Sequence, residues 1–125
     1  MKPKPDMLKL MQRALRESGD CYTLADIRDA IKDGRMQAFT NEDDTAFVVT
    51  EIAVTPRKKF LNVIFLCGEL DAVMALQPQV AEFARANGCG FLLSCGREGW
   101  AKVLPQHGWE RTGVIHVLDL GGYRG

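Results

Sequence analysis

The stretch from Gly88 to Trp109, GCGFLLSCGREGWAKVLPQHGW, sets a strand, a turn and a helix between glycines. Phe91, Leu92, Leu93, Ser94 and Cys95 make an almost unbroken apolar run between Gly90 and Gly96. That run is too short for a core helix and suits a strand covered on both faces. Across residues 97–104, Trp100, Val103 and Leu104 fall at the i, i+3, i+4 spacing of one helical face. Pro105 and Gly108 stop that helix, because proline lacks the amide it needs and glycine accepts the left-handed cap.

Upstream, residues 69–87 read as a helix with Leu70, Val73, Met74, Leu76, Val80, Phe83 and Ala84 inward. Pro78 predicts a kink there, or two short helices in place of one. Phe60 to Cys67 is a strand apolar enough to be covered on both faces, and Gly68 ends it. Met36 to Thr40, a polar turn at Asn41 to Asp44, and Thr45 to Thr55 form a hairpin pattern. Three consecutive strands with short turns imply an antiparallel meander, since parallel neighbours need long crossovers. Two helices precede them. Asp6 is placed to cap the first, whose stripe is Met7, Leu8, Leu10, Met11, Ala14 and Leu15 before Gly19; Lys9, Arg13 and Arg16 lie along its other side. Thr23 opens the second, with Asp26 completing a weak capping box and Leu24, Ile27 and Ile31 as its stripe. Downstream, Gly113 to Leu120 reads as a last strand, with Val114, His116, Leu118 and Leu120 on one side and Ile115, Val117 and Asp119 on the other.

Length and composition set the bounds. The 125 residues suffice for a single domain, expected at 6–120 between a basic, proline-broken arm at 1–5 and a glycine-rich tail at 121–125. Apolar residues at 46% and charged residues at 26% are the balance of a soluble protein. Sixteen basic and sixteen acidic residues cancel, which argues against nucleic acid or an anionic membrane as partner. Cys21, Cys67, Cys89 and Cys95 lack zinc-site spacing, so buried reduced thiols and no metal are expected. No apolar leader or membrane span is evident, and a cytoplasmic location follows as the expectation.

The order of elements resembles the GCN5-related N-acetyltransferase (GNAT) fold over roughly residues 22–120. The segment Gly96, Arg97, Gly99, Trp100 followed by Gly108, Trp109 is most similar to short acetyltransferase-like proteins of tailed bacteriophages. The resemblance implies an α+β fold: a central mixed sheet, an antiparallel meander plus a parallel crossover, and helices on both faces. The crossover would make Phe60 to Cys67 and Phe91 to Cys95 parallel neighbours.

In active family members a Gly-rich loop at the end of the third meander strand presents backbone amides to the cofactor's pyrophosphate. Here that stretch is Leu66, Cys67, Gly68, Glu69, Leu70 and Asp71, with one glycine and two acids where phosphates belong. Many members place a proton-donating tyrosine four residues before the glycine of the Gly-aromatic pair, and here that position is Leu104. These departures favour a non-catalytic virion or assembly protein of a phage, with no cofactor. Its partners would be other virion or assembly proteins, or further copies of the chain, met through Met7, Leu8, Met11 and Trp100. In that reading the protein would pass from the host cytoplasm to the virion. The alternative is an acetyl-CoA-dependent N-acetyltransferase acting on an amine or a protein lysine. Its cofactor would lie along Val63, Ile64, Phe65, Leu66, Cys67 and Gly68 with help from Arg97, and Glu51 or His116 would act on the amine. Cys95 has no histidine at a spacing that would activate it as a nucleophile.

Overall fold

The structure, a computed structural model, describes residues 5–95 and 98–124, with only the backbone of Glu98. Helices α1 (Pro5–Glu17) and α2 (Leu24–Lys32) lead into strands β1 (Gln37–Thr40), β2 (Ala46–Val54) and β3 (Lys59–Gly68). Helices α3 (Leu70–Ala75) and α4 (Gln77–Ala86) follow, then β4 (Leu92–Ser94), α5 (Glu98–Val103) and a 3₁₀ turn at Leu104–His107. The strands form one sheet in chain order, antiparallel from β1 to β3 and parallel between β3 and β4. The α3–α4 pair is the crossover that the parallel pairing requires.

Local chemistry accounts for the boundaries. At α2 the Thr23 side chain accepts from the Asp26 amide (3.1 Å) while the Asp26 carboxylate accepts from the Thr23 amide (2.9 Å), a complete capping box. That backbone hydrogen bond, followed by the one with the Thr23 side chain, holds the Asp26 carboxyl below its ordinary pKa. Pro78 does split the expected long helix: the chain breaks at Leu76 and the proline sits in the first turn of α4, where its missing amide is not needed. In the β1–β2 turn Asn41 Nδ2 donates to Thr45 Oγ1 (2.6 Å) and the Thr45 amide returns a bond to Asn41 Oδ1 (2.9 Å).

The sheet has a core on each face. On one, Ala46 and Val48 of β2 and Leu61 and Val63 of β3 pack with Val73, Met74, Val80 and Ala84 of α3 and α4. On the other, Phe47 and Val49 of β2 and Phe65 and Cys67 of β3 pack with Met7, Met11 and Leu15 of α1 and Ile27 and Ala30 of α2. Strand β2 alternates between the cores without a break, as a period of two demands. Its buried Thr50 donates from Oγ1 to Gln37 Oε1 (2.9 Å). No helix of the described residues is long and apolar enough to cross a membrane.

Two expectations are corrected. Met7 and Met11 are 6% and 0% exposed, so they anchor α1 to its own domain and offer nothing to a partner; Leu8 beside them is half-buried. Gly113 to Leu120 forms no strand, and every residue from Glu110 to Leu120 is exposed. Its apolar pattern is strand-like, but a strand exists only where a neighbour takes its backbone bonds.

Candidate functional site

The register of β3 positions the site. Against β2, Phe65 pairs with Val49 and Val63 pairs with Thr50, leaving Ile64 as an extra residue on β3. This bulge reverses the alternation: Leu61 and Val63 face the α3–α4 core, and Phe65 and Cys67 face the α1–α2 core. Pairing with β4 stops at the same place. Val63 opposite Ser94 is the last pair, although β3 continues along β2 to Gly68. The Leu61 amide donates to Phe91 O (3.0 Å), which identifies the edge turned toward β4. Beyond Val63 no described residue pairs with that edge, and the two parallel strands splay.

The splay opens a cleft of about 110 Å³. Its wall is the continuous run Val63 to Gly68, closed by Ser94 at the end of β4 and Cys95 after it, by Trp100 of α5 and by the flank of α1. From α1 come Leu10, Arg13, Ala14 and Glu17, with Ser18 just after the helix. At the rim Arg13 Nε donates to Glu17 Oε1 (2.9 Å), and Ser18 Oγ donates to the Ala14 carbonyl (2.9 Å). So narrow a slot, walled by strand β3 on one side and by a mixed face of Leu10, Ala14 and Trp100 with Arg13, Glu17 and Ser18 on the other, suits a thread-like arm with amide groups better than a ring.

Of the residues expected to hold a cofactor, Val63, Ile64, Phe65, Leu66, Cys67 and Gly68 all line the cleft. Arg97 lies outside the described residues. Glu51 sits opposite Asn62, below the splay, and is not part of the cleft wall. His116 is in the exposed segment after Trp109. Neither of the two expected amine-activating residues is therefore at the cleft. Trp100 is half-buried, lining the cleft while packing on the core.

The start of α3 differs from an anion cradle. Glu69 precedes the helix, its side chain makes no capping bond, and its amide donates to Thr45 O (2.9 Å). Glu69 and Asp71 are exposed there as carboxylates, and the helix has only six residues. A Cβ on Gly68 would collide with the Thr45 carbonyl oxygen and stand 2.7 Å from Ala46 Cα, and its φ of +119° lies where side chains are strained. Gly68 thus lets β3 close against the start of β2. Cys67 is buried beneath α1 with its Sγ 3.7 Å from Met7 Sδ, and burial pushes its thiol up to about 12. It offers no thiolate to the cleft.

Leu104 is 8% exposed and belongs to the core, so no proton donor stands at that position. After it, Gly108 caps the 3₁₀ turn with φ at 91°, and Trp109 is fastened to α4. Its Nε1 donates to Gln77 Oε1 (2.9 Å), and Gln77 Nε2 donates to the His107 carbonyl (2.9 Å). Among the described residues no group of three or more His, Cys, Asp or Glu is arranged to hold a metal ion.

The α1 residues at the rim were not among the expected site residues. In the sequence Arg13 lies with Lys9 and Arg16 on the side of the first helix away from its apolar stripe, and only the way α1 crosses β3 brings it and Glu17 to the cleft.

No family model matches the sequence, and no curated protein matches it. Solved structures do. The chain is similar to TTHA1254 from Thermus thermophilus, with a TM-score of 0.60 at 16% identity, over 99% of this chain and 100% of that one. It is similar to an acetyltransferase from Trypanosoma brucei, with a TM-score of 0.63 at 14% identity, over 94% and 95% of the two chains. A probable acetyltransferase gives 0.59 at 12% identity over 96% and 97%. At such identities the likeness shows the fold alone, a GNAT-like acetyltransferase fold. Nothing in these matches links the chain to tailed bacteriophages.

Proposed function

We propose that the protein is an N-acyltransferase that takes its acyl group from acetyl-CoA and holds the pantetheine arm in the cleft between β3 and β4. The observation that carries this reading is the bulge at Ile64 coinciding with the end of β3–β4 pairing at Val63 and Ser94. It leaves a length of strand backbone free to bond an amide-bearing arm as a third strand would. Acetyl-CoA, when bound, supplies the activated thioester whose C–S bond breaks as the acceptor's C–N bond forms.

The chain's own contributions are main-chain and rim groups. An amide of the bulged segment, freed from the ladder, is the donor placed to polarise a thioester carbonyl. Trp100 and Leu10 exclude water from either side of the slot. Glu17, paired with Arg13 at the rim, is the cleft carboxylate that would hold a cationic amine and take up its proton when that exposed pair opens. A departing thiol has an ordinary pKa of about 8.5, so it leaves without the donor that Leu104 does not supply. The diphosphate end fits less well: the carboxylates of Glu69 and Asp71 occupy the α3 start, and no step is assigned to it.

The competing expectation, a phage virion component without a cofactor, finds no support in the similar structures. The acidic α3 start and the buried Leu104 speak for a non-catalytic chain, and the fold and the cleft speak for the enzyme. Thermal melting with acetyl-CoA decides between them. At a hundredfold excess over its Kd the ligand adds about 2.7 kcal/mol, a rise in Tm on the order of 10 °C. Ala14→Trp, which fills the cleft, should abolish the rise while the far-UV circular dichroism is kept. Absence of any shift with the native chain, together with absence of turnover on amines, would sink the reading.

A further inference from the structure

The chain leaves its fold after Trp109. Among the described residues, the backbone from Glu110 to Val117 makes no hydrogen bond, and the turn that follows bonds only to itself, from the Gly122 and Tyr123 amides to Asp119 O and Leu120 O. Val114, Ile115, Val117, Leu118 and Leu120 are 63%, 64%, 87%, 64% and 74% exposed. In sequence these β-branched and aliphatic residues follow the pattern of a strand covered on both sides. Scattered apolar residues on a surface are ordinary, but a contiguous set of this size marks a contact.

The same molecule carries a matching vacant edge. β4 is the last strand of the sheet, bonded to β3 on one side, with no described residue paired along its other backbone edge and with Leu92 and Leu93 half-buried. Phe91 at its entry is 40% exposed. An unprotected edge of this kind is a template for another strand.

We infer that two copies of this chain associate about a two-fold axis, each laying residues 113–120 against the free edge of the other's β4. The segment is longer than its acceptor, since β4 spans only Leu92–Ser94. On its own β4 much of the segment would stay unpaired. About a two-fold axis the two donated segments run antiparallel side by side, and those positions pair with each other.

Area supports the same occupant. The five exposed aliphatic residues carry roughly 600 Å² per copy, and two copies reach the ~1,200 Å² at which specific interfaces begin. The formal charge of zero sets no repulsion between like chains. One contact therefore covers both the donor segment and the acceptor edge, and it closes without leaving a β4 edge for a third copy.

Sedimentation velocity on the full chain is expected to give a dimer. The double variant Ile115→Pro with Val117→Lys removes one strand amide and adds a charge to the apolar face. It should halve the mass while melting and far-UV dichroism stay those of a folded domain, because the segment contributes to neither core. Hydrogen exchange on the native chain supplies a test that needs no variant. Amides of residues 113–120 should be protected at high concentration and lose that protection on dilution. A monomer at every concentration, a double variant that remains dimeric, or protection that does not respond to dilution, as docking on the segment's own β4 would give, each overturns the inference.

Discussion

Gly68 looks like the remnant of a phosphate-binding loop, yet its surroundings assign it a different task. Its φ of +119° and the collision of a would-be Cβ with the Thr45 carbonyl oxygen mean that a side chain must push apart the β2–β3 ladder. That neighbour is backbone and cannot rotate away. Gly68→Ala is therefore expected to cost on the order of 3 kcal/mol, combining left-handed strain with overpacking. Urea unfolding would read this as a lower midpoint at unchanged slope, and a neutral result would contradict the close approach. The sequence shows a glycine at a strand end; only the pairing of Ala46 with Gly68 shows why it must be one. Leu104 is the converse case. Counting back from Gly108 finds the residue, and its burial shows that the position has been absorbed into the core.

At the scale of elements, the signals with a local cause were readable. Thr23 and Asp26 announce a capping box because both partners lie within one turn, and the box forms. Thr23→Ala removes the acceptor for the Asp26 amide and should lower stability by about 1 kcal/mol. It should also raise the Asp26 carboxyl part of the way toward its ordinary range, since the larger depressing bond, from the Thr23 backbone amide, stays and only the smaller side-chain one is lost. The sign follows from linkage. A depressed folded pKa gives stability that is present above the unfolded value of 3.8 and lost as pH falls through the folded one. The mutant's deficit should thus shrink in acid, measured by melting across pH 2–5. Pro78 was equally legible, because a missing amide acts within its own helix. The bulge was not: in the run from Phe60 to Cys67 every residue but Asn62 is apolar, so nothing marks Ile64 as surplus. Nor could the alternation in Val114 to Leu120 disclose that its partner is missing from its own fold, because pairing is not a property of one segment.

Across the whole molecule, β2 and β3 share the longest ladder, running from Ala46 and Gly68 to Val54 and Lys59, with a core on each face. β1 and β4 are short edges, and α5 is a helix of six residues. Native-state hydrogen exchange should follow that gradient. Amides of Val48, Val49 and Phe65 are expected to open only with global unfolding, and those of α5 by local fraying. Uniform protection would contradict it. Fold class was legible because element order and period carry it; the cleft was only half legible, because α1 reaches β3 from across the sequence.

The surplus residue at Ile64 roots one strand in two different layers. Leu61 and Val63 are held among the crossover helices, and Phe65 and Cys67 beneath the N-terminal pair. Deleting that one residue would leave each side chain in its own layer, since Phe65 already pairs with Val49 and Val63 with Thr50, and would only straighten the ladder. A guest wedged beside it, conversely, presses on both layers at once, so the molecule has no half that is mechanically indifferent to what occupies the slot.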